Sequence, residues 1–101
     1  MTFSIDAFEA SVGALVLSVR AEKVIVNTQL SAVLSLLQIA ADEFNTAPFL
    51  PRRFAALAHF AFSGLLAEAG HARDERQRQE IVDAAWQIDE AIVRVVGLGD
   101  M

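Results

Sequence analysis

From Pro51 to Ala69 the chain reads PRRFAALAHFAFSGLLAEA, a stretch whose apolar positions leave almost no water-facing side. Proline has no N–H to donate and a fixed φ, so Pro51 suits the first turn of a helix, where that donor has no partner anyway. Gly70 can take a positive φ and is placed to end the helix. Between them Phe54, Leu57, Ala58, Ala61 and Leu65 recur at i, i+3, i+4, i+7 and share one face, which Phe62 and Leu66 widen on one flank. The far side carries Ala56, Phe60, Ser63 and Ala67, all apolar or small. A helix that is apolar nearly all round must be covered nearly all round. The small residues on its far side would admit a second backbone at close range.

The same spacing predicts three further helices. Ile5, Phe8, Val12, Leu15, Val16 and Val19 form one stripe, with Ser4 or Asp6 as cap, and Ala7, Ala10, Ala14 and Leu17 form a second. A break is expected near Val26–Thr28, where Asn27 and Thr28 are good caps; one uninterrupted helix through Phe44 is the alternative, since no Gly or Pro forces a stop. Leu30, Val33, Leu34, Leu37, Ala40, Ala41 and Phe44 line the inner face of the next helix. In the loop that follows, two prolines bracket Phe49-Leu50, which are expected to tuck down as a plug. After the charged run HARDERQRQE, Asp74 is placed to cap a last helix that Gly97 and Gly99 close. Ile81, Ala84, Ala85, Ile88, Ile92 and Val95 form its core stripe, and Val82, Trp86 and Val93 a second strip beside it. The expected fold is all-α: one domain over residues 1–101, a small antiparallel bundle of about four helices spanning roughly 4–23, 29–44, 51–69 and 74–96.

Composition decides whether one chain can hide these faces. Hydrophobic residues make up 54% and the mean hydropathy is +0.41, more apolar surface than four single-striped helices need. Membrane insertion is not expected. The longest charge-free run, Val24 to Ala41, carries Asn27, Thr28, Gln29, Ser31, Ser35 and Gln38, too polar for a span of about 20 residues. The N-terminus lacks the basic segment of a signal peptide, so a cytoplasmic location is expected. A net charge of −5 argues against nucleic acid or an anionic membrane as partner.

Chemistry-bearing residues are sparse. With no Cys or Tyr and only two His, acid–base and nucleophilic catalysis lack obvious participants, and a non-enzymatic protein is expected, with no cofactor and no metal. Glu68-Ala-Gly-His71 is a half-motif of carboxylate-bridged metal bundles, but it stands alone at a helix end. Asp89 falls within the apolar arc of the last helix, where a carboxylate is costly unless paired; a rim position, or an ion pair with Arg52, Arg53 or a basic residue of a second subunit, is expected, with a functional carboxylate as the alternative.

The segment HFAFSGLLAEAG resembles the histidine phosphotransfer family, whose four-helix bundles expose a phosphorylatable histidine followed about a turn later by lysine and glycine. The resemblance implies His59 as phosphoacceptor and Gly64 as the residue clearing space for a docking regulator. Phe62 stands where that family has lysine, and the glycine falls one position late.

The apolar excess carries the main expectation: a homo-oligomer, most simply a two-fold dimer in which a second subunit completes the helical core. Its interface would draw on Leu17, Ala56, Phe60, Ser63, Ala67, Val82, Trp86 and Val93. The function expected is that of a small acidic protein–protein interaction protein: an adaptor, an assembly- or secretion-type chaperone, or an inhibitor. Phosphotransfer through His59 is the enzymatic rival. A third reading is an apolar ligand held between helices near Trp86 and Phe60 or Phe62.

Overall fold

The computed structural model describes residues 2–45 and 47–97. Four helices follow one another: α1 (Ile5–Glu22), α2 (Asn27–Phe44), α3 (Arg52–Ala69) and α4 (Glu75–Val96). Among the described residues no strand forms and no helix is long and apolar enough to cross a membrane.

The helix ends follow local chemistry, with departures from expectation at the α1–α2 break and at Gly70. Ser4 caps α1, its Oγ accepting from the Ala7 N–H at 3.1 Å, and Asp74 caps α4, accepting from Gln77 N–H at 2.8 Å. Gly97 closes α4 at φ +86°, while Gly99 lies outside the described residues. The break between α1 and α2 is real, but Asn27 and Thr28 do not cap it. Val26 holds the cap position and contributes only its carbonyl, which accepts from the Gln29 and Leu30 N–H groups. The chain leaves α1 instead through Lys23 at φ +57°, a left-handed conformation that costs a non-glycine residue about 1 kcal/mol. Its side chain offsets this strain by donating to the Arg20 carbonyl at 2.6 Å and to Glu68 Oε2 at 2.8 Å. Gly70 ends α3 at φ −65°, so its freedom to take positive φ is not used.

Around the bundle the order is α1, α2, α4, α3, and the diagonal pairs barely meet. Consecutive helices alternate in direction. The α2–α3 connection crosses the end of the bundle, so the neighbours α1 and α3 run parallel. Arg53 at the start of α3 pairs with Asp6 and Glu9 at the start of α1, and Glu68 near the end of α3 pairs with Arg20 and Lys23 at the end of α1. The core closes within one chain around Phe8, Leu15, Leu37, Phe54, Leu65, Ile81 and Ile88. The predicted core stripes are buried or half-buried throughout. The plug is a different residue. Phe49 is 83% exposed, and the end of the core is sealed by Phe3, whose ring meets Phe8, Phe44 and Phe54 at 5.6–5.7 Å. Only Leu50 of the expected pair packs inward.

Candidate functional site: the outer surface of α3 and its two edges

α3 occupies a corner of the bundle, between α1 and α4. Its buried line of Phe54, Ala58, Ala61, Leu65 and Ala69 uses one face of the helix. The 100° turn per residue then directs Ala56, Phe60, Ser63 and Ala67 away from the core. Ala56, Phe60 and Ala67 are exposed and Ser63 is half-buried, its hydroxyl donating to the His59 carbonyl at 2.7 Å. The hydroxyl is thereby satisfied inside its own helix and adds little polarity to the surface.

On the α1 side, Leu17 is 61% exposed and Phe60 43%. On the α4 side, Trp86 is 55% exposed and meets the edge of Phe62 with ring centres 5.2 Å apart, while Val82 and Val93 are half-buried. The eight residues expected to form one interface therefore lie along two edges. Leu17 and Phe60 belong to the α1–α3 edge, Val82, Trp86 and Val93 to the α3–α4 edge, and Ala56, Ser63 and Ala67 form the ridge between.

Ion pairs flank the α1–α3 edge at both ends. At one end the Arg53 guanidinium bridges Asp6 at 3.0 Å and Glu9 at 2.9 Å, and these carboxylates raise its pKa. At the other, Glu68 takes Lys23 at 2.8 Å and Arg20 at 3.5 Å. The hydrogen bond from the Lys23 ammonium holds the Glu68 carboxyl below the usual carboxylate range. Between the ends lies Gly13, where a Cβ would meet nothing within 4 Å. The Glu68–His71 half-motif is thus taken up by the fold: the carboxylate serves Lys23 and Arg20, and the His71 N–H donates to the Glu68 carbonyl.

The α3–α4 edge contains a cleft of about 250 Å³ with Phe54, Ala58, Phe62, Ile92 and Val96 among its walls, and His59 and Asp89 as its titratable groups. The ion pair expected for Asp89 is not formed among the described residues. Arg53 sits on the α1 flank of α3 and is committed to Asp6 and Glu9, whereas Asp89 faces α3 from the other side. His59 is exposed at this cleft. Gly64, expected to clear space for a partner of His59, lies on the opposite flank of α3, its Cβ position 3.5 Å from Val16 of α1. The phosphotransfer resemblance therefore loses its clearance residue. Of the aromatics expected around an apolar ligand, Phe62 lines the cleft, Trp86 leans on Phe62, and Phe60 belongs to the other edge.

Sequence reasoning missed the two ionic ends and the open glycine between them. The pairs join residues 44 to 48 positions apart, which no helical spacing reveals. No protein-family model, curated protein or solved structure matches the chain.

Proposed function

We propose that this chain is a small, non-enzymatic interaction protein that associates with itself and, through the assembly, with another protein. The observation carrying the reading is the joint exposure of Leu17, Phe60 and Trp86 around a ridge of small residues, while the core beneath is fully packed. Three large apolar side chains around one helix corner, with ion pairs at both ends of the edge that bears Leu17 and Phe60, have the make-up of an interface: an apolar centre with a polar rim. The net charge of −5 favours a basic partner for the assembly, as an adaptor, assembly chaperone or inhibitor would have. Sedimentation equilibrium tests the first half: a dimer or higher species at micromolar concentration is expected, and a stable monomer refutes it. Affinity capture from the native host tests the second, where no specific protein partner for the assembled chain counts against it.

A second reading rests on Asp89. This half-buried carboxylate, without an ion pair among the described residues and set in an apolar cleft, suits an apolar molecule that carries an amine. Native mass spectrometry of freshly purified protein tests it, and a spectrum without any adduct argues against the reading.

A further inference from the structure

We infer that the occupant of the α1–α3 edge is the same edge of a second copy, docked antiparallel about a two-fold axis near Gly13 and Phe60. This deepens the self-association reading and rests on it.

The two ends of the edge have opposite sign. At the start of α1 two carboxylates, Asp6 and Glu9, share the single guanidinium of Arg53. At the end of α1 two cations, Arg20 and Lys23, share the single carboxylate of Glu68. By helical register Arg52 and Glu22 turn away from this edge, toward α4 and α2. The acidic end is about 21 Å from the basic one, fourteen residues at 1.5 Å each. A second copy docked antiparallel sets each acidic end on a basic one: Asp6 faces Arg20 of the partner subunit, and Arg53 faces Glu68 of the partner subunit. A parallel copy would set like ends together.

Helix direction favours the same arrangement. α1 and α3 run parallel within one chain, so their dipoles add along this edge. An antiparallel copy opposes them, while a parallel copy would align four in one layer.

The shape between the ends is self-complementary. Gly13 lies midway between Asp6 and Arg20, and the midpoint between Arg53 and Glu68 falls between Phe60 and Ala61, so Gly13 and Phe60 sit where a two-fold axis relating the ends must pass. Gly13 has no steric reason within its own chain, because a Cβ there meets nothing within 4 Å, and mid-helix glycine costs about 1 kcal/mol relative to alanine. At the axis it lets two α1 backbones approach closely. Leu17, the exposed large apolar residue of α1, lies four residues past Gly13 and so comes level with Glu9 of the partner subunit, beside the exposed small side chain of Ala10 of the partner subunit. Such reciprocity, with residue i on j and j on i, is what an isologous interface requires.

The chain has no cysteine, so introduced thiols are the only ones present. Ala56 and Ala67 are exposed on α3, outside the ion pairs, on either side of the axis. Mixing full-length Ala56→Cys with Ala67→Cys under mild oxidation is expected to give a disulfide-linked dimer containing one copy of each. Neither variant alone should link. Linkage within a single-variant sample, or no linkage in the mixture while the protein sediments as a dimer, overturns the antiparallel geometry and leaves self-association standing. A chain that sediments as a monomer overturns both. Two variants extend the test, with circular dichroism confirming the fold. Gly13→Leu, whose side chain enters open space in the monomer, is expected to weaken association at least ten-fold with helicity unchanged. Arg20→Glu, which turns the basic end acidic, is expected to weaken it about three- to ten-fold, with added salt narrowing the difference. Association unchanged in both variants overturns the proposal.

Discussion

At the scale of single residues, the least expected contributor is Phe3. It precedes the first helical stripe, yet its ring joins Phe8, Phe44 and Phe54 and seals one end of the core. Its N–H also donates to the Glu43 carboxylate at 3.3 Å, tying the chain start to the end of α2. Truncation by Phe3→Ala removes a buried ring that contacts three others, and chemical denaturation should show a loss of about 3 kcal/mol. Gly97 is a different case. At φ +86° its conformation strains any residue with a Cβ, although nothing crowds the position. Gly97→Ala should therefore lower stability by about 1 kcal/mol in the same measurement, with no change in the denaturant slope. Both residues are visible in the sequence, but only Gly97 announces its role there. A glycine after a helical stripe has one common use, whereas an isolated phenylalanine has many.

At the scale of elements, α2 begins without a side-chain cap. Val26 holds a β-region backbone suited to a cap, φ −87° and ψ 112°, and the residue is 39% exposed. Val26→Asp supplies an acceptor for the free N–H groups of the first turn and a negative charge at the positive end of the helix dipole. The thermal midpoint should rise, corresponding to a gain of about 1 kcal/mol. The α1–α3 pairing depends on pH through Glu68. Its carboxyl is held below its ordinary value by the hydrogen bond from Lys23, so its contribution is present at neutral pH and is lost as pH falls through the depressed value. Glu68→Gln should lower stability by about 1 kcal/mol at pH 7 and flatten the acid limb of the stability profile. An unchanged acid limb would show that Glu68 adds nothing to acid stability. The register that brings Glu68 onto Lys23 was hidden in the sequence, where the two residues lie 45 positions apart.

At the scale of the molecule, the core closes within four helices and the apolar surplus is left outside, around α3. Covering Leu17 and Phe60 in an assembly couples folding to concentration, so the thermal midpoint should rise measurably over a hundred-fold increase in protein. Leu17→Asp combined with Phe60→Asp should abolish that dependence while leaving the dilute-solution midpoint within a few degrees, since neither side chain belongs to the core. The edge bearing Trp86 and Asp89 stays open in such a dimer and is available to a different partner.

Helix number, helix position and the inward stripe of each helix were determined by the sequence by itself, because each depends on residues within a turn or two of one another. Ser4, Asp74 and Gly97 act where local chemistry places them. The second apolar strips were equally plain as patterns, but a pattern does not say which neighbour covers it. The tertiary structure alone decided that α1 lies beside α3, that Ala7, Ala10, Ala14 and Leu17 face outward, and that Arg53 pairs with Asp6 and Glu9 while Asp89 forms no ion pair among the described residues. These outcomes depend on how a seven-residue connection crosses the end of the bundle, which sets contacts between residues far apart in the chain. Hydrophobic spacing carries no record of that crossing, since either neighbour would bury the same stripe.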